Sequence, residues 1–168
     1  MKILQIAGYS NSGKTTLIQN LIKHLGKEKK VSVIKHHGHE NQLTALDTGK
    51  DTGKFRNAGA ASTTVVAGTT IQMHFDSNKK WTVQDVLTFQ SFIHTDLVII
   101  EGFKKEAFPK IVLIREEGDL HLLHELTNII SVIIWDPSYR TKINLTTPIF
   151  LLEEQDHLFK WLPQNDYV

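Results

Sequence analysis

The chain has 168 residues, enough to bury a core without covalent staples, and its 19 Lys+Arg against 18 Asp+Glu leave a formal net charge of +1. That balance supplies no strong field for nucleic acid or a membrane surface. The absence of cysteine excludes disulfides, thiolate metal sites and a cysteine nucleophile, and it fits a reducing cytosol.

Lys2 to Ala7 reads as a short apolar strand that runs straight into Gly8, so no signal peptide is expected. Gly8-Tyr9-Ser10-Asn11-Ser12-Gly13-Lys14-Thr15 satisfies the pattern G-x-x-x-x-G-K-[ST] at every required position. Leu17, Ile18, Leu21, Ile22 and Leu25 then recur at helical spacing, with Gly26 as a stop. Strand, glycine loop and helix are the setting of a phosphate-binding P-loop. Glycines at 8 and 13 let successive N–H groups turn inward around phosphate oxygens, and the helix begins with its positive dipole end toward the anion. The cradle is expected from Gly8, Asn11, Ser12, Gly13 and Thr16. Lys14 is expected at the β- and γ-phosphates and the Thr15 hydroxyl on Mg²⁺.

Val31 to Ile34 reads as a second strand, ending at Lys35-His36-His37-Gly38-His39. Three histidines can make a zinc site, but adjacent ones do not easily face one metal, and no spaced cysteine or carboxylate set accompanies them. The favoured reading puts Lys35 and His36 over the nucleotide or a second anionic ligand, against surface histidines with no such role. The polar stretch from Gly38 to about Gly53 is too long for an ordinary connection and is expected to be functional. Asp51, after Gly49-Lys50, either ligates Mg²⁺ or caps a short helix over Gly53 to Ala58. Thr63 to Val66 and Ile71 to Phe75 read as strands around Gly68-Thr69, a protruding hairpin suited to dimerisation.

Thr82 and Asp85 form a capping signal for a helix running to about Phe92. Asp96 to Ile100 is a buried strand ending on Glu101-Gly102, and Lys110 to Arg115 is another. Ile129 to Trp135 is stopped by Asp136-Pro137, and Ile149 to Leu152 leads into a helix carrying Leu158, Trp161 and Leu162. Leu97 to Glu101 has the form of a Walker-B strand, with Glu where Asp is usual. Glu101 is therefore expected on Mg²⁺ or on a water near the γ-phosphate, the alternative being a solvent-exposed glutamate. Asp136 stands where an acceptor for guanine would stand in chain order, and equally reads as a turn-forming Asp-Pro. With no repeat, low-complexity tract or proline-rich linker, one domain over residues 1–168 is expected. Apolar runs such as Leu97–Ile100 are far too short to span a bilayer. The expected class is a soluble, cytoplasmic α/β protein of the P-loop NTPase type. Its sheet should be mainly parallel with helices on both faces and the ligand beyond the carboxyl ends of the strands.

Taken together, these stretches resemble the molybdopterin-guanine dinucleotide biosynthesis protein B family. The likeness rests on the Gly8–Thr16 loop, Val33-Ile34-Lys35-His36, Gly49-Lys50-Asp51 with Arg56-Asn57-Ala58-Gly59-Ala60, Asp96 through Glu101-Gly102-Phe103-Lys104, and Lys110 to Arg115. It covers about two thirds of the chain, and Lys-Asp followed by Arg-x-Ala-Gly-Ala and Glu-Gly-Phe-Lys is its specific part. The chain departs from the family in having His37-Gly38-His39-Glu40 where a Thr-His-His-Asp-like run is common. The resemblance implies a dimeric GTP-binding protein of molybdenum cofactor synthesis. It would assist the guanylyltransferase that joins GMP to molybdopterin; whether molybdopterin itself is a further ligand is left open by the sequence. Gly13, Lys14, Thr15 and Thr16 carry over as phosphate and Mg²⁺ positions and Glu101 as the Walker-B-like acid.

The first functional reading is thus an adapter holding GTP·Mg²⁺. Its hydrolysis is expected to be slow, because no Gln stands like a water-orienting residue and only Arg56 and Arg115 are candidate arginine fingers. The alternative is a stand-alone P-loop enzyme, a small-molecule kinase or a nucleotide-dependent ligase. A kinase lid needs clustered arginine, whereas the three here are isolated. A third reading is a degenerate domain that binds nucleotide only to stabilise an assembly.

Overall fold

The computed structural model describes residues 1–26, 28–38, 43 and 47–168. His39, Glu40 and Asn41, singled out in the histidine run and the polar stretch, lie outside the described residues. In chain order the elements are β1 (Lys2–Ala7), α1 (Lys14–Leu25), β2 (Val31–Lys35), α2 (Asp51–Asn57), β3 (Ser62–Ala67), β4 (Thr70–Phe75) and α3 (Val83–Gln90). There follow β5 (Leu97–Glu101), β6 (Lys110–Ile114), a 3-10 turn at Glu117–His121 running into α4 (Leu122–Glu125), and β7 (Ile129–Ile134). A 3-10 turn at Pro137–Lys142, β8 (Ile149–Leu151), a 3-10 turn at Leu152–Glu154 and α5 (Gln155–Gln164) complete the chain. Two compact units result, Met1–Gly38 with Val86–Val168, and His39–Asp85.

The first unit is a six-stranded sheet in the order β2-β5-β1-β6-β7-β8, every pairing parallel. Continuous apolar strands such as Leu97–Ile100 and Ile111–Ile114 are fully buried, as a sheet covered on both faces requires. On one face Leu4, Ile6, Ile99 and Leu113 pack with Leu17 and Leu21 of α1 and Leu158 and Leu162 of α5. On the other, Val112, Ile114, Val132 and Ile134 pack with Leu122 of α4 and Ile143. Each such Leu or Ile contributes about 1.5–3 kcal/mol on burial. The chain leaves β1 toward β2 and β5 on one side and later adds β6, β7 and β8 on the other. The strand order therefore reverses at β1, and the ligand crevice of a parallel sheet opens beyond its carboxyl end.

The second unit holds α2 and the antiparallel hairpin β3–β4, in register Val66↔Ile71 and Thr64↔Met73. Asp47 ion-pairs with Arg56 of α2, whose Nη1 also lies 3.3 Å from His74 Nε2 on β4. Val66, Ile71, Met73 and Phe75 are exposed along one face of the ribbon.

Most expected elements occur within a residue or two of their bounds. The helix expected to run to Phe92 ends at Gln90, where Ser91 Oγ turns back onto the Thr88 carbonyl at 2.7 Å. Its start is as expected: Thr82 N donates to Asp85 Oδ2 at 2.9 Å and Asp85 N to Thr82 Oγ1 at 3.1 Å. The 3-10 turn and α4 between residues 117 and 125 had no counterpart in the sequence reading.

Lys110, at the start of β6, is fully buried and its ammonium donates to the carbonyls of Glu106 at 2.7 Å and Thr127 at 2.5 Å. Burial holds its pKa below the ordinary lysine value of 10.5, with Glu106 opposing. The folded chain therefore releases this proton at lower pH than the unfolded chain. The cost of burying the charge is fully present below the folded pKa and gone above 10.5, so stability rises with pH between the two. Lys110→Met, which leaves two carbonyls without a donor, is expected to destabilise by about 1–3 kcal/mol at pH 8. The gap to wild type should widen toward pH 10 in urea denaturation; a constant gap would show that the ammonium is not depressed.

Candidate functional site

Five strand ends meet at the carboxyl edge of the sheet, and each delivers a polar group. The loop after β1 carries Tyr9 to Gly13, β2 ends on Lys35, β5 on Glu101, and Arg115 and Trp135 directly follow β6 and β7. Gly13 is the N-cap of α1 in the left-handed region, φ 92°, and no side chain caps the helix. Its first-turn amides and dipole end are thus offered to an anion. Gly8 is required for space: a Cβ there would lie 2.7 Å from Ser12 Oγ and 3.1 Å from the Leu113 carbonyl.

The carbonyls of the loop are taken up from outside. Lys14 Nζ donates to the Tyr9 carbonyl at 2.5 Å, Arg115 Nη1 to that of Asn11 at 3.3 Å, and Trp135 Nε1 to that of Ser12 at 3.1 Å. The Arg115 guanidinium also lies 5.4 Å from the centre of the Trp135 ring. Asn11 adopts φ 61°, which Asn tolerates better than most residues. Ser12 is fully buried, so its side chain does not line the cradle, and its N–H donates to the Tyr9 carbonyl at 3.3 Å. Burial holds the Lys14 ammonium below the ordinary lysine value; Glu101 opposes that fall, and Lys104 and Lys35 add to it.

Glu101 is buried beside the loop. Its Oε2 accepts from Thr15 Oγ1 at 3.4 Å and its Oε1 from Lys35 Nζ at 3.0 Å. Lys35 and Glu101 are direct register partners on β2 and β5. Hydroxyl and carboxylate together make a hard-oxygen pair of the kind that takes Mg²⁺ alongside phosphate oxygens and water. Among the described residues no group of three or more His, Asp or Glu is arranged to hold a metal by itself. A cradle closed to a Cβ, an uncapped helix start and this oxygen pair fit a nucleoside triphosphate with Mg²⁺.

The remaining sequence candidates make other contacts. His36 stacks on Phe103, ring centres 4.4 Å apart, and its N–H donates to the Glu101 carbonyl. Thr16 is exposed in the first turn of α1. Asp51 lies in the second unit, where Lys50 is the N-cap and Asp51 the first helical residue, paired with Lys54 at 2.9 Å. Arg56 is likewise in the second unit, committed to Asp47. Asp136 Oδ1 accepts from Ser138 N at 2.8 Å and caps the 3-10 turn, and those hydrogen bonds hold its carboxyl below the usual range. An open cleft of about 430 Å³ lies beside it, lined by Trp135, Pro137, Leu151, Leu152 and Glu153. The cleft abuts the loop, since Trp135 and Leu152 come within 4 Å of where a Gly13 Cβ would be. Trp135, Glu153 and Tyr9 went unmarked in the sequence; the one signal was a Trp closing a strand just before Asp-Pro.

Residues 3–135 match the family described as Molybdopterin guanine dinucleotide synthesis protein B. The chain is 35% identical over 145 residues to the probable molybdopterin-guanine dinucleotide biosynthesis adapter protein of Bacillus subtilis, covering 86% of this chain and 79% of that one. Its structure is similar to that of the MobB protein homolog from Bacillus stearothermophilus, with a TM-score of 0.78 and 32% identity, covering 98% of this chain and 97% of that one. Bacillus subtilis MobB gives a TM-score of 0.81 at 29% identity, with 98% of both chains covered.

Trp135→Phe keeps an aromatic ring, smaller than indole, and removes the donor to the Ser12 carbonyl. It is expected to weaken triphosphate·Mg²⁺ binding about fivefold, roughly 1 kcal/mol, with little change in thermal midpoint. Calorimetric titration alongside a melting curve checks this, and unaltered binding would show that the loop keeps its shape without that bond.

Proposed function

Because the chain belongs to the molybdopterin guanine dinucleotide synthesis protein B family, we propose that it is a GTP-binding adapter of molybdopterin guanine dinucleotide synthesis. In this reading it holds GTP·Mg²⁺ for the guanylyltransferase that joins GMP to molybdopterin. The observation that carries it is the loop itself, with carbonyls held outward by Lys14, Arg115 and Trp135 and the uncapped start of α1 behind it. On binding, Lys14 exchanges the Tyr9 carbonyl for phosphate oxygens, that carbonyl keeping the Ser12 N–H at 3.3 Å, and Thr15 and Glu101 supply oxygens to the metal. Mg²⁺ then neutralises phosphate charge.

The base lies in the cleft against Trp135 and Leu152. Glu153 is the acceptor for the N1 and N2 hydrogens of guanine. It lines the cleft, whereas the Asp136 carboxylate is tied to Ser138. Hydrolysis is slow, in keeping with two candidate fingers engaged elsewhere: Arg115 on the Asn11 carbonyl and Arg56 on Asp47. In this reading the chain has two protein partners, a second copy of itself and the guanylyltransferase, and the apolar face of β3–β4 supports an association surface.

Calorimetric titration of GTP·Mg²⁺ and ATP·Mg²⁺ tests the reading. GTP is expected to bind at least about tenfold more tightly, about 1.4 kcal/mol. Lys14→Ala should abolish binding of both, and Glu153→Gln should erase the difference between them. Equal or ATP-favouring binding by the wild-type chain would remove guanine recognition and favour a stand-alone P-loop kinase or ligase.

A further inference from the structure

Among the described residues burial depresses the pKa of three lysines, Lys14, Lys104 and Lys110, and their ammonium groups are met differently. Lys110 is met by two backbone carbonyls. Lys104 is half-buried, yet the contact of its ammonium is the face of the Tyr9 ring, 3.7 Å from the centroid. Among the described residues no carboxylate stands within 4 Å of it; Asp119 and Glu125 act on it only at longer range. Asp119 in turn accepts from the backbone N–H groups of Arg115 at 2.8 Å and Glu116 at 3.3 Å.

The position of Lys104 is built rather than incidental. The turn after β5 takes Gly102 and Phe103 into the left-handed region, φ 93° and 48°. For a phenylalanine that conformation is strained and must be imposed by its surroundings. Gln5 imposes it: fully buried in β1, it donates through Nε2 to the carbonyls of both Gly102 and Phe103 at 2.6 Å. Tyr9 is fixed as well. His121 Nδ1–H donates to the Gly118 carbonyl, which leaves Nε2 to accept from the Tyr9 hydroxyl at 2.8 Å. Tyr9 belongs to the phosphate loop, and its carbonyl receives Lys14. A second ammonium is thus held beside the first across one loop residue. Such an arrangement is relieved when an anion neutralises it.

We propose that Lys104, held over Tyr9, is a second anion subsite beside the P-loop that takes the phosphate monoester of the acceptor. The inference rests on the adapter reading above, because a dinucleotide joins its halves through a pyrophosphate and the pterin half must bring one phosphate. Gln5, Tyr9 and His121 are positioning residues for it.

The test is a ³¹P NMR titration of phenyl phosphate into the chain saturated with the non-hydrolysable GTP analogue GMPPNP and Mg²⁺. Phenyl phosphate is expected to bind at a site separate from the nucleotide. Lys104→Ala should weaken it about tenfold or more while GMPPNP affinity stays within about twofold. His121→Ala, which frees the Tyr9 ring, should weaken it by less. Equal phenyl phosphate binding by wild type and Lys104→Ala would overturn the subsite. So would a loss of GMPPNP binding in Lys104→Ala as deep as in Lys14→Ala, which would assign Lys104 to the triphosphate. If the wild-type chain does not bind GMPPNP, the adapter reading fails by itself. Phenyl phosphate titrated into Lys14→Ala, with and without Lys104→Ala, then still decides the subsite.

Discussion

A backbone loop cannot present its amides to an anion unless its carbonyls have somewhere else to go, and the arrangement at the carboxyl edge of the sheet depends on that. The carbonyls of Tyr9, Asn11 and Ser12 are each claimed by a side chain, from α1, from the end of β6 and from the end of β7. Arg115 and Trp135 lie more than a hundred residues from the loop, and they converge on it because β1, β6 and β7 run parallel and finish at the same edge. The sheet is therefore more than a platform. Its register decides which side chains reach the loop, and the loop conformation follows.

The same logic explains the acid. Glu101 closes a strand flanked on one side by β1 and on the other by β2, so one carboxylate touches Thr15 with one oxygen and Lys35 with the other. A glutamate in place of the commoner aspartate adds one methylene, and both neighbours are met.

What could be read beforehand divides along physical lines. The loop was legible because its requirement is steric and fixed by residue type: Gly8 has no room for a Cβ, and Gly13 adopts a left-handed φ. Buried parallel strands were legible as apolar runs, and Thr82 with Asp85 as a capping pair. The segment 117–125 escaped notice because one 3-10 turn and a four-residue helix are too short to show a period. Trp135 and Arg115 could not be assigned to the loop, nor Tyr9 to its contact with His121, since these contacts depend on strand order, which chain order does not reveal. Asp51 and Asp136 were each open to two readings from local spacing, a ligand or a cap, and each carries a local contact, with Lys54 and Ser138 respectively.

β2 is an edge strand with β5 as its one neighbour, so its last residues rely on what lies just past the end of the ladder. There the His36 N–H meets the Glu101 carbonyl at 2.9 Å and the His36 ring lies on Phe103. This closure is possible because position 102 has no side chain: a Cβ on Gly102 would stand 2.9 Å from that of His36. Any larger residue would act as a wedge at a hinge secured on one side only, prising Lys35 away from Glu101 and fraying the strand from its tip. Intolerance to change at residue 102 would therefore reflect, in part, how the margin of the sheet is fastened.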